Sequence, residues 1–145
     1  MRSFVTTIAV IIIGIALSSN AAAQNANDLM ITGGLDLIKT DNIKLFDKAQ
    51  IGIEAHYFVT RRFTTSVGME IWTFQDESFV FGSRWYLQDN LFIRGRALIG
   101  ENDFSLGIGG SFPLKNSFRA EVAGDYYFKG EFALRGGFAY IIRMN

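Results

Sequence analysis

From residue 28 to the C-terminus the chain alternates apolar and polar side chains with a period of two, and it does so eight times. Successive side chains of a β-strand point to opposite faces, so this repeat demands extended structure with two unlike surfaces. The spacing predicts strands over 28–40, 49–60, 63–75, 78–88, 91–100, 103–113, 117–129 and 131–144. No segment after Asn27 holds a helical 3.6-residue period for three turns. The predicted strands average about 12 residues; at ~3.3 Å per residue and a tilt of ~40°, each rises about 30 Å, the thickness of a bilayer's hydrocarbon core.

The two parities differ in kind. One carries Ile51, Ile53, Ala55, Tyr57 and Val59, then Phe63, Thr65, Val67, Met69 and Ile71, then Phe79, Phe81, Ser83, Trp85 and Leu87. The other carries Asp36, Glu54, Glu70, Arg84, Arg94, Arg96, Arg119, Glu121, Asp125, Arg135 and Arg143: five acids and six bases. Interleaved with these charges are small residues, among them Gly34, Gly52, Gly68, Gly82, Gly107, Gly109 and Gly137. A solvated outer surface prefers Lys, Glu and Thr, because glycine weakens an exposed strand. A narrow barrel interior needs small residues beside large ones so that both fit. The charged parity therefore reads as the inside and the apolar parity as a surface facing lipid. The opposite assignment describes a secreted soluble carrier of lipocalin type with an apolar pocket.

The aromatics of the apolar parity cluster near the turns. Tyr57, Phe63, Trp85, Phe112, Phe118 and Tyr140 lie toward one rim, and Phe79, Phe104, Phe128 and Phe132 toward the other. Two aromatic girdles flanking an aliphatic band mark a lipid-facing wall. Three turns recur in similar surroundings, around Arg61-Arg62, Asp89-Asn90 and Lys115-Asn116, and give a hairpin repeat of about 27 residues. At the other end only 41–48 is longer than a tight loop.

Before the strands, Arg2 precedes an apolar run from Phe4 to Leu17, and Ala21-Ala22-Ala23 supplies small residues for cleavage. This reads as a secretory signal peptide over 1–23, cut after Ala23, leaving a barrel domain over 24–145. The chain has no cysteine, which removes disulfides, thiol nucleophiles and Cys-based zinc sites. Its 14 basic and 14 acidic residues balance without long runs, so it lacks an electrostatic footprint for nucleic acid.

With these features in place, the chain resembles the small eight-stranded outer-membrane barrels of Gram-negative bacteria, the porin-like OmpA/OmpX-type superfamily. The resemblance covers residues 24–145 and includes the terminal strand Phe132 to Asn145, similar to the C-terminal signal read by the barrel-assembly machinery. The strand departs from that pattern by ending Arg143-Met144-Asn145 instead of an aromatic. The resemblance implies an all-β, antiparallel up-and-down transmembrane barrel in the bacterial outer membrane. It also implies lipid and the assembly machinery as partners, no cofactor, and a structural or surface-interaction role.

Candidate chemistry is sparse. His56, the only histidine, falls on the inward parity without the nucleophile and acid that catalysis requires, and reads as a structural interior residue. Gly107-Ile108-Gly109-Gly110 is followed by no helix and reads as interior strand glycines, not a phosphate loop. Asp41, Asn42 and Asp47 read as a solvated loop, and no metal site is expected. Charges cut off from water need partners, so the interior set reads as a salt-bridge plug. Counting across the turns places Glu70 opposite Arg84, Glu54 beside Glu70, Arg84 beside Arg94 and Asp125 opposite Arg135. Trp72, Phe58, Phe74, Tyr86, Phe92 and Tyr127 share the interior. The same charges could alternatively line a small pore or a conduit for hydrophobic solutes.

Overall fold

The structure is a computed structural model and describes residues 25–39, 50–72, 75–100 and 102–144. The expected signal peptide, the 41–48 loop with Asp41, Asn42 and Asp47, and Phe74 lie outside the described residues, as does the Trp72 side chain. Eight strands form: β1 Leu29–Lys39, β2 Gln50–Thr60, β3 Phe63–Trp72, β4 Gln75–Gln88, β5 Leu91–Ile99, β6 Asp103–Lys115, β7 Phe118–Tyr127 and β8 Glu131–Ile142. Each pairs antiparallel with the next, and β8 closes onto β1, with Gly33 opposite Phe138 and Asp36 opposite Arg135. Closure leaves no free sheet edge, which is the condition for a β-structure to stand in lipid.

All eight strands expected from the alternation are present, with shifted ends. The largest shifts, three residues each, fall on either side of one turn: β3 ends at Trp72 instead of 75 and β4 begins at Gln75 instead of 78. Glu77 stands on the outward parity there and is exposed, so the apolar-polar contrast that reveals strands elsewhere is missing at this height. The β3–β4 connection keeps its expected length of two residues but falls three residues earlier in the chain, and the register moves with it. Glu70 lies opposite Ser78, and Arg84 opposite Thr64, so the expected Glu70–Arg84 pair across these strands does not form. Glu54 lies opposite Gly68, diagonal to Glu70, and Asp125 opposite Ala133. Arg84 does lie opposite Arg94.

The three recurring turns share a device that the sequence did not reveal. Each of their incoming strands carries a register irregularity just before the turn, at Phe58/Thr60, Tyr86/Gln88 and Pro113/Lys115. An extra residue there sharpens the bend and re-aims the strand end. The Lys115–Phe118 connection also needs a left-handed residue, supplied by Asn116 at φ 54°; asparagine tolerates that region better than most side chains.

The parity assignment holds around the wall. Ile53, Val67, Phe81, Trp85 and Phe138 all point outward and are at least half exposed. The interior has an apolar layer at the end holding the chain termini, where Met30, Phe58, Tyr86, Phe92 and Ile141 pack together. Phe58 stacks on Tyr86 with centroids 5.8 Å apart, and Tyr86 packs on Phe92 at 5.6 Å. A smaller group, Val80, Leu98, Tyr127 and Ala133, lies toward the opposite end. Between them sits the charged layer.

Candidate functional site

The interior charges come from seven of the eight strands and meet across the lumen more than along the sheet. Arg84 on β4 spans to Glu121 on β7, with Nη1 donating to both carboxylate oxygens at 2.9 and 3.0 Å. Its guanidinium lies over the Phe92 ring, 4.5 Å from the centroid. Arg94 on β5 donates through Nε to Asp125 Oδ1 at 2.9 Å and through Nη2 to Oδ2, a two-point fork typical of arginine–carboxylate recognition. Arg96 bridges two carboxylates: its Nε lies 2.9 Å from Glu54 Oε1 and its Nη2 contacts Glu70. Arg135 on β8 donates to Glu70 Oε1 and to the Gly34 carbonyl, and lies 3.6 Å from Asp36. Asp36 also accepts from the Tyr127 hydroxyl at 3.5 Å.

Nine of the ten expected interior charges that fall within strands are thus joined in acid–arginine contacts. The tenth, Arg119, is buried but reaches neutral acceptors: Ser111 Oγ and its carbonyl, both at 2.8 Å, Asn90 Oδ1 at 3.0 Å and the Asp89 carbonyl at 3.2 Å. A cation satisfied by four neutral oxygens clamps the β4–β5 turn to β6 and β7. Ser111 falls on the inward parity of the alternation and Asn90 in a recurring turn, but nothing in the sequence marks either as an acceptor for Arg119. Arg143, expected inside, is a correction. It follows the end of β8 and is exposed, so the described interior holds five arginines. Asp28, which the sequence reading passed over, is buried at the terminal end and accepts from the backbone N–H groups of Asn25 and Met144. It ties the two ends of the described chain together.

His56 is fully buried, with Nε2 3.1 Å from Thr32 Oγ1 and 3.6 Å from Glu54 Oε2. Glu54 also accepts from Ser66 Oγ at 3.2 Å. Thr32, His56, Ser66 and Arg96 thus orient Glu54. Among the described residues no cluster of three His, Asp or Glu side chains is arranged to hold a metal ion.

Glycines make room for these long side chains. A Cβ on Gly52 would collide with Arg135 and Glu70, and one on Gly107 with Asp125. A Cβ on Gly34 would sit 2.5 Å from Arg135 Nε. What space remains among Glu54, Arg84, Arg94, Glu121 and Arg135 is about 20 Å³, enough for roughly one water. Among the described residues the centre of the lumen is charged and the large exposed apolar side chains lie outside it, which does not favour a soluble carrier of lipocalin type.

The ten rim aromatics all point outward. Tyr57, Trp85, Phe118, Tyr140, Phe79, Phe104, Phe128 and Phe132 are exposed; Phe63 and Phe112 are half-buried. Phe63 is covered edge-on by Trp85, 6.2 Å away, and Phe112 folds over Gly110. Phe104 packs on Phe128 at 5.5 Å, and Phe118 on Tyr140 at 6.5 Å, so each rim carries contiguous rings.

No family model matches the sequence, and no curated protein does. Two solved structures are similar in fold. One comes from the de novo design of transmembrane β-barrels, at TM-score 0.67 and 17% identity, covering 83% of this chain and all of the designed one. The other is the solution NMR structure of the designed barrel TMB2.3, at TM-score 0.60 and 14% identity, covering 86% of this chain and all of the design. The chain therefore has the fold of transmembrane β-barrels, a closed eight-stranded antiparallel meander with buried salt bridges.

Proposed function

We propose that this protein is an integral β-barrel of the bacterial outer membrane with a plugged interior and a membrane-structural or surface-interaction role. It is neither an enzyme nor an open channel. The observation that carries the reading is the inversion of the two surfaces: an apolar outer wall among the described residues, and interior arginine–carboxylate pairs with only about 20 Å³ between Glu54, Arg84, Arg94, Glu121 and Arg135. In water that wall would expose far more contiguous apolar area than a soluble monomer tolerates. In a bilayer it is solvated, and the aromatic girdles sit at the headgroup levels. The N-terminal segment over 1–23 fits export, and the terminal strand fits delivery by the barrel-assembly machinery. No feature of the interior defines a surface partner.

Two layers support closure to ions. The charged plug fills the middle, and Met30, Phe58, Tyr86, Phe92 and Ile141 pack across the terminal end beside the buried Asp28 and Arg119, with the Tyr86 hydroxyl donating to Met30 Sδ at 3.8 Å. The test is to express the full chain, separate outer membranes, and reconstitute the purified protein in planar bilayers. The expected result is retention in the outer membrane after an alkaline wash and no stable conductance. Recovery in the soluble periplasmic fraction would overturn the membrane assignment; steady ion-selective channels would replace the plug by a pore.

A further inference from the structure

The outward wall is not evenly covered. Register relations define a row of neighbours running Thr65, Ser83, Gly95, Leu106, Tyr126, Phe132 across β3 to β8. The adjacent row runs Phe63, Trp85, Ile93, Ile108, Gly124, Leu134. Small residues at Ser83, Gly95 and Gly124 leave a trough walled by the larger side chains. The resulting groove has a volume of about 660 Å³ and is lined almost wholly by apolar atoms, within the range of about 300–1,000 Å³ of small-molecule sites. Barrel strands lean by about 35–45°, so a row along the hydrogen-bond direction climbs the wall. The groove between the two rows starts beside the β2–β3 turn at Phe63 and ends near the opposite rim at Phe132, one residue into β8.

A basic turn adjoins one end of the groove. Arg61 and Arg62 form the β2–β3 turn and are both exposed, and neither makes an ion pair with a described residue. Their turn is fixed. Thr60 Oγ1 accepts from the N–H groups of Arg62 and Phe63 at 3.3 and 3.1 Å, and the Arg62 carbonyl accepts from Tyr86 N–H at 2.7 Å. Arg62 immediately precedes Phe63 in the chain, so the turn's two arginines adjoin the Phe63–Trp85 pair at one end of the groove. The one acid in the next turn, Asp89, is exposed and reduces the local charge without cancelling it.

We infer that this combination is a binding site for one anionic glycerophospholipid of the surrounding bilayer, its phosphate on Arg61 and Arg62 and an acyl chain along the groove. The inference rests on the membrane reading above. A neutral apolar surface would take any lipid; a basic turn at the head of an acyl-sized trough selects a negative headgroup. A basic residue at an anionic lipid surface contributes roughly a factor of five in affinity at low salt, so the pair gives a preference of about 25-fold.

The test uses the two tryptophans. In a Trp72→Phe background Trp85 at the groove mouth is the remaining reporter. The full chain is folded into phosphatidylcholine vesicles containing a few per cent of acyl-brominated phosphatidylglycerol or acyl-brominated phosphatidylcholine, and quenching is compared. The expected result is strong preferential quenching by the anionic lipid, shrinking in 1 M salt. The preference should fall to near unity in Arg61→Gln/Arg62→Gln. It should also fall in Gly95→Leu, where a Cβ would meet only side-chain carbons of Phe104 and Leu106 at 3.4 and 3.6 Å. Ser83→Leu is a second groove-filling variant should Gly95→Leu not fold. Equal quenching by both lipids in the parent protein overturns the site. So does a preference that survives the arginine substitutions or salt, while survival in both groove variants removes the acyl groove. Absence of quenching by either lipid means that the barrel is not in the bilayer, and the membrane reading falls with the site.

Discussion

The charged plug makes its sharpest prediction at Arg84 and Glu121. Arg84 is 2% exposed and its guanidinium has one carboxylate partner, whose side chain is 9% exposed. Arg84→Met keeps the aliphatic stem and removes the charge, so little cavity opens, and the effect isolates the electrostatics. Removing one partner of a buried ion pair leaves the other charge uncompensated, at a cost of about 3–5 kcal/mol. Glu121 is not fully enclosed, and the neighbouring space of about 20 Å³ admits about one water, so the lower end, ~3 kcal/mol, applies. Loss of the contact with Phe92 adds ~0.5–2 kcal/mol. The double variant Arg84→Met/Glu121→Leu removes both charges and should return to within ~1 kcal/mol of the parent, because replacing an entire buried pair by apolar groups is close to neutral. The assay is reversible urea unfolding in lipid vesicles, read by tryptophan fluorescence and by mobility on unheated gels, with the coupling taken from the four-member cycle. A single-variant loss under 1 kcal/mol, or a double variant no better than Arg84→Met, would refute the claim that these charges are buried as a pair.

Other perturbations separate wall from lumen. Val67→Arg places a charge on the outward face, where Val67 is 52% exposed; near mid-bilayer it should destabilise by ~2–4 kcal/mol in the same titration, and a loss of a few tenths would count against lipid contact. Gly107→Ala drives a methyl into Asp125 and should lose ~1–3 kcal/mol by overpacking. A Cβ at Gly33 on the outward face meets nothing within 4 Å, so Gly33→Ala should stay within ~0.5 kcal/mol of the parent; equal effects at the two glycines would contradict their assigned faces. Trypsin applied to intact cells should cleave near Lys44 or Lys48 and spare Arg61 and Arg62, and cleavage at Arg61 would reverse the proposed orientation.

Strand number, order and facing were legible because a period-two pattern with charge on one parity is preserved wherever one face is dry and the other packed. The pattern failed at Gln75–Ser78, where Glu77 puts a polar residue on the outward parity. That shift of the β3–β4 turn broke the expected Glu70–Arg84 pairing, since register is set by where the turn falls along the chain. Even a correct register would have missed most partners. Arg84–Glu121 and Arg135–Glu70 cross the lumen between strands that are not neighbours, and such distances depend on barrel diameter and on which glycines leave space. What did carry through was charge balance: five acids on the inward parity required comparable cations nearby, whatever their pairing. The clamp made by Arg119 on neutral oxygens was invisible, because Ser111 and Asn90 look like any other strand and turn residues until the chain is folded.

Which face of the barrel meets lipid decides between membrane barrel and soluble protein, and the absence of native cysteine allows a direct measurement. A nitroxide attached at Val67→Cys, on the outward wall midway along β3, should collide frequently with oxygen dissolved in the bilayer and rarely with a water-soluble nickel chelate. Frequent collisions with the chelate and few with oxygen, in a chain that stays folded without detergent or lipid, would show the apolar wall facing water and contradict the membrane barrel described above.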